Sequence, residues 1–167
     1  SAKGLDATSN STRGVFAAAY PGTNVIDYIT MASTGDAVDF GDRTNAVGYV
    51  AGLGSPTRAV FGGGISNTNV IDYIEIASTG NATDFGDLTA ARRGAMGLSS
   101  STRGVFGGGY DPATYTTLEY VTIASQGNAI DYGDLVAAKF LAASTSNSVR
   151  GVVAGHGPGS ATIDYFT

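Results

Sequence analysis

The sequence predicts an all-β fold, a β-propeller of about four blades with four antiparallel strands in each blade, and three observations carry that prediction. The segment Thr-Arg-Gly-Val-Phe at 12–16 returns at 57–61 with Ala for Gly, again at 102–106, and in degraded form at 149–153, so that Arg13, Arg58, Arg103 and Arg150 stand 45, 45 and 47 residues apart. A period of that length made of strand-sized pieces describes one supersecondary unit, written almost four times, that cannot bury both its faces alone. The chain is also rich in Gly (25 of 167 residues) and poor in charge (14% Asp, Glu, Lys and Arg), against about 7% and about 25% in ordinary domains, which suits tight turns and sheets covered on both sides. Thirdly, Val70, Ile74 and Ile76 share one face of a period-2 pattern while Ile71 and Tyr73 share the other. Apolar groups on both faces fit a sheet sandwiched between neighbouring sheets.

Each element follows from the cleanest copy of the unit. The small-residue stretch 91–98 and the Val-Phe stretch 102–106 are each of strand length and are parted by a Ser-rich turn at 99–101, which reads as a hairpin. Residues 69–77 form a third strand, and 82–88 a fourth, reached through the turn Ser78-Thr79-Gly80-Asn81. The first strand should line the axis, because 94–97, 48–52 and 140–143 are built mostly of small residues where blades converge. The triplets Gly62–Gly64 and Gly107–Gly109 permit close backbone approach or positive φ at a strand end. One repeat domain, 1–167, then divides into blades at about 3–42, 45–88, 91–135 and 138–167, and the last lacks its outer strand. A ring that tolerates a three-stranded last blade, a segment of a longer array, or a strand supplied by another segment would each account for this, and a bare outer edge is a template for strand addition.

An Arg-Gly strand (Arg93-Gly94), an apolar strand ending in Gly-Gly (Val105-Phe106-Gly107-Gly108), an acid followed by Tyr (Asp72-Tyr73, Glu119-Tyr120), and an aromatic with a Leu (Phe85, Leu88) together resemble the kelch repeat along the whole chain. The chain departs from that pattern at Phe40, Phe85 and Tyr132, where kelch units usually carry Trp. The wording of 77–88 also resembles repeats of marine phage virion proteins. These resemblances imply a propeller used as a structural part or a binding module.

The recurring charges are read as structural ion pairs, Arg13 with Asp27, Arg58 with Asp72, Arg103 with Glu119 and Arg150 with Asp164, because an unpaired acid on a two-sided apolar strand is costly. Asp39, Asp42, Asp84, Asp87, Asp131 and Asp134 flank aromatic-Gly pairs without the spacing of a calcium loop, and read as turn caps. His156 is the one histidine, in a Gly-rich loop, too few for the usual zinc or copper sites. No metal, cofactor or catalytic set is expected. The loops after the glycine stretches vary most between units, so Tyr20, Tyr110, Asp111, Tyr115 and His156 are the candidate ligand contacts.

A net charge of −5 with only nine basic residues gives no footprint for a phosphate backbone, so nucleic acid is not expected as a partner. The absence of cysteine excludes a disulfide framework and thiolate metal sites. No apolar run reaches the roughly 18 residues of a membrane span, and Ser1 opens directly into repeat sequence without a signal-like stretch. The expectation is a non-enzymatic structural or adhesive module of a larger assembly, in a virion (a phage tail or fibre) or otherwise extracellular, its partners other protein subunits and its own copies included. A lectin-like module meeting cell-surface glycan is the alternative, and an enzyme of the propeller hydrolase or oxidase kind is the third.

Overall fold

The computed structural model describes residues 4–66, 68–155 and 161–167. It is all-β, with four antiparallel sheets arranged as a four-bladed propeller. Blade 1 holds β1 (Asp6–Ser9), β2 (Arg13–Ala17), β3 (Thr23–Thr30) and β4 (Val38–Val47); blade 2 holds β5 (Ala51–Gly54), β6 (Arg58–Gly62), β7 (Val70–Glu75) and β8 (Thr83–Asp87). Blade 3 holds β9 (Met96–Ser99), β10 (Arg103–Gly107), β11 (Thr117–Thr122) and β12 (Ile130–Asp134). Blade 4 has three strands, β13 (Ala143–Ser146), β14 (Gly151–Ala154) and β15 (Ile163–Phe166). Strand order within each sheet is sequence order, so every connection is a hairpin.

The hairpin between first and second strands is closed by one device used four times. The side-chain oxygens of Asn10, Ser55, Ser100 and Asn147 each accept from the two N–H groups that open the second strand, those of Thr12 and Arg13, Thr57 and Arg58, Thr102 and Arg103, and Val149 and Arg150. Asn and Ser both turn the chain this way, which is why the turn survives a sequence that alternates between them.

Three apolar clusters lie between successive blades. Val15, Ile26 and Phe40 of blade 1 meet Ala59, Phe61, Ile74 and Ile76 of blade 2. Leu53, Val60, Ile71 and Phe85 of blade 2 meet Phe106, Val121 and Ile123 of blade 3, and Leu98, Val105 and Leu118 of blade 3 meet Val153 and Phe166 of blade 4. The two faces of β7 therefore serve two neighbours, as its alternation predicts: Ile74, with Ile76 just past the strand, looks back to blade 1, and Ile71 looks on to blade 3. Small residues are required at the axis, where a Cβ on Gly97 of β9 would collide with the carbonyl oxygen of Gly52 on β5. The glycine triplets act as predicted as well. Gly63 and Gly108 have φ of 68° and 60°, and a Cβ on either would strike the carbonyl oxygen of Arg92 or Lys139.

Candidate functional site

The repeated charges are not paired as their spacing suggested, and the register gives the reason. In blade 2, Arg58 stands opposite Glu75 and Val60 opposite Tyr73, whereas Asp72 stands opposite Phe61. Residues directly opposite across a sheet share a face, so Arg58 and Tyr73 lie on one side and Asp72 on the other. The same holds for Arg13 against Asp27, Arg103 against Glu119 and, extended by one residue, Arg150 against Asp164. Each arginine instead lies over the tyrosine that follows the acid: Arg13 over Tyr28 (4.6 Å to the ring centroid), Arg58 over Tyr73 (4.5 Å), Arg103 over Tyr120 (4.5 Å) and Arg150 over Tyr165 (4.8 Å). From there Arg13 donates to the Ile76 carbonyl of blade 2, at 2.6 Å, and Arg58 to the Ile123 carbonyl of blade 3, at 3.0 Å.

The acids take cations that precede their own blades in sequence, Arg43 from β4 of blade 1 and Arg92 and Lys139 from the segments between blades. Arg43 Nε is 2.9 Å from Asp72, whose second oxygen also accepts from the Thr44 N–H and hydroxyl. Arg92 Nη2 is 2.5 Å from Glu119, and Lys139 Nζ is 3.7 Å from Asp164. All six side chains are buried. No ion pair to Asp27 falls among the described residues. The cations are not legible because they lie 29, 27 and 25 residues before their acids, a different offset in each blade, whereas the hairpin arginines lie 14 residues before theirs in three of four blades and 16 in the other. Burial lowers the Arg92 guanidinium from its ordinary value, and Glu119 and Tyr115 oppose that shift.

The axis opens at both ends. At one end the four hairpin turns surround a depression of about 380 Å3, with Asn10, Ser55, Ser100 and Asn147 among its lining. At the other, Gly4, Tyr49, Gly94 and Leu141 all adopt left-handed backbone (φ 61°, 58°, 60° and 53°). They are joined by a run of hydrogen bonds, Tyr49 N–H to the Gly4 carbonyl, Gly94 N–H to Tyr49 and Leu141 N–H to Gly94. Asp6 lines this mouth and accepts from the Gly52 N–H at 2.8 Å, and burial raises its carboxyl above the ordinary 3.8.

Beside this mouth lies an aromatic cleft of about 320 Å3 lined by Tyr20, Tyr49, Arg93, Phe140 and Leu141. Tyr20 is half exposed and its ring is 5.8 Å from that of Tyr49; Tyr110 is 5.7 Å from Phe140 and carries the exposed Arg93 5.1 Å above it. One of the predicted loop contacts, Tyr20, lines this cleft, whereas Tyr110 does not line it but packs against Phe140 and Arg93, which do. Tyr115 belongs to its own loop instead: its hydroxyl donates to the Asp111 carbonyl at 2.7 Å and its ring supports Arg92. Asp111, half-buried at the head of that loop, does not line the cleft. His156 lies outside the described residues.

The six acids that flank the aromatics sit within the fourth strands rather than in turns. Among the described residues no group of three or more His, Cys, Asp or Glu could hold a metal ion, and no helix is long and apolar enough to cross a membrane.

The last surface is the seam between blade 4 and blade 1. No apolar cluster fills it among the described residues, and the groups equivalent to those buried elsewhere are open. Ile26, Ile71 and Leu118 are 0%, 0% and 3% exposed, whereas Ile163 is 68% exposed, as is Tyr165. Across the seam, Met31 is 55% exposed where Ile76 and Ile123 are buried. No protein-family model matches this chain, and no curated protein matches it.

Proposed function

We propose that the chain is a non-enzymatic, kelch-like propeller module that serves as a structural or adhesive part of a larger assembly, a phage tail or fibre or another virion component exposed outside the cell. The observation that supports this reading is the seam. Among the described residues, an apolar face of the kind that three internal interfaces bury is exposed on blade 4, at Ile163 and Tyr165, and an exposed apolar patch of this kind suits contact with a partner. The kelch-like repeat wording and its resemblance to marine phage virion proteins point the same way. The test is recovery of the chain from purified particles. Peptides from it should copurify with the particle in fixed proportion to the other structural subunits, and an antibody against it should decorate one site. A chain found only as a free monomer while particles lack it would end this reading.

A second reading, glycan binding, is favoured by the aromatic cleft. The half-exposed Tyr20 offers a ring face to the apolar side of a sugar, and Arg93 offers donors to its hydroxyls. On a glycan array, selective binding that Tyr20→Ala and Arg93→Ala each abolish would promote this reading. An unresponsive array would remove it.

A further inference from the structure

We infer that the aromatic cleft beside the axial mouth selects an acidic sugar, a terminal ring bearing a carboxylate, with Arg93 holding the carboxylate and Tyr20 the face of the ring. That the ligand is a sugar rests on the glycan-binding reading above. That it is acidic follows from what the cleft offers and what it lacks.

Arg93 is a cation that the fold does not use. Among the described residues, Arg13, Arg58, Arg103 and Arg150 recur on the hairpins over their tyrosines, and Arg43, Arg92 and Lys139 answer buried acids. Arg93 belongs to neither set, and its guanidinium has no ion-pair or hydrogen-bond partner among the described residues. Its neighbour Arg92 is buried while Arg93 is exposed, so the two adjacent arginines have opposite fates. The residue ahead of the left-handed position is Gly48 in blade 2, Arg93 in blade 3 and Phe140 in blade 4, so the backbone there needs no cation. What holds Arg93 in place is its bridge to Tyr110: its N–H donates to the Tyr110 carbonyl, its carbonyl accepts from the Tyr110 N–H, and its guanidinium lies 5.1 Å above the Tyr110 ring. Phe140, 5.7 Å from that ring, backs it. A guanidinium resting on an aromatic face keeps its planar fork of donors set for a carboxylate.

The cleft is also short of acceptors. Its lining, Tyr20, Tyr49, Arg93, Gly94, Phe140 and Leu141, contains no carboxylate or amide side chain. The carbonyls of Tyr49, Arg93 and Gly94 already accept from the N–H groups of Gly94, Tyr110 and Leu141. Asp6, which lines the adjoining mouth, has its two oxygens engaged by the Ala7 and Gly52 N–H groups. A neutral sugar presents hydroxyls that donate as well as accept, and a guanidinium only donates. A ligand with an anionic acceptor answers this imbalance, and a carboxylate taken by both prongs of the fork answers it best. The half-exposed Tyr20 ring and the exposed Leu141 supply the apolar bed for the body of the sugar. At about 320 Å3 the cleft lies at the lower end of the range for ligand sites, which suits a single terminal ring.

The test titrates the intact protein, followed by saturation-transfer NMR, with methyl β-D-glucuronide and methyl α-D-galacturonide, each beside its neutral parent glycoside and its methyl ester. At least one acid should bind about tenfold more tightly than its parent and its ester, from the charge-assisted pair, and should lose that margin as salt is raised. Arg93→Met, at an exposed position, should erase the margin and leave the unfolding midpoint unchanged, whereas Tyr20→Ala should weaken acid and parent alike. Equal binding of acid and parent, or a margin that survives Arg93→Met, would overturn the inference and leave glycan binding standing. Acetate that displaces the acid at the same concentration would overturn both, because the site would then read an anion without its sugar. Binding by none of these sugars would also overturn the inference, while the glycan array decides the wider reading on its own.

Discussion

Arg92 shows how much one side chain can be asked to hold. Its guanidinium pairs with Glu119, donates to the Gly108 carbonyl and to Thr89, and lies over Tyr115, all while buried. Removing one member of such a pair strands the other charge, at about 3–5 kcal/mol, whereas removing both relieves part of that penalty. We therefore expect Arg92→Met and Glu119→Gln each to lower the urea unfolding free energy by roughly that amount, and the double variant to cost clearly less than the two together. Asp6 gives a pH signature. Its carboxyl holds a proton more tightly folded than unfolded, so the folded chain binds more protons in the window just above 3.8, and its contribution to stability falls as pH rises through that window. Relative to Asp6→Asn, the native protein should lose stability as pH rises above 3.8, read as a shift of the urea midpoint. The tyrosine after each acid was in plain view, and counting the register would have assigned it to the arginine. The buried cations could not be found that way, because their place relative to the acids wanders.

At the level of the element, each strand is held by features its own sequence declares and by one that it does not. The alternation in β7 and the Asn or Ser of the hairpin turns announce two-sided strands and tight connections. The glycine stretches after β6 and β10 announce an unusual backbone, but not the carbonyl of Lys139 against which Gly108 is pressed. That contact joins residues far apart in sequence, and only the closed sheet stack brings it about. Gly108→Ala must meet both a φ of 60° and that carbonyl. We expect it to destabilise by about 2 kcal/mol or more, whereas Gly133→Ala, which has open space around it despite its positive φ, should cost less. Thermal unfolding of the two variants side by side separates collision from strain.

For the molecule as a whole, stability should be graded around the ring. The inner strands of blades 2 and 3 are largely buried, whereas β1 is half exposed, β13 is mostly exposed and blade 4 has one covered face. Local opening follows the scarcity of buried contacts, so amides of β14 and β15 should exchange with solvent well before those of β6 and β7. Uniform protection across all four blades in native-state exchange would contradict this. The number of blades and the short count of strands in the last one were legible from the repeat alone. The open seam was not, since periodicity tells how units resemble each other and is silent on whether the ends of the row touch.

The buried charges carry a consequence for how such a gene can change. Arg43 answers Asp72, Arg92 answers Glu119 and Lys139 answers Asp164, each cation lying just ahead of the blade that contains its acid. A crossover that duplicates or excises one whole period in frame at these linkers moves both opposite signs together, leaving no lone charge inside. Because any whole-period change joins equivalent positions, a ring with one repeat more or fewer should still give each of these acids a buried cation, and the electrostatic cost of an unpaired charge is avoided.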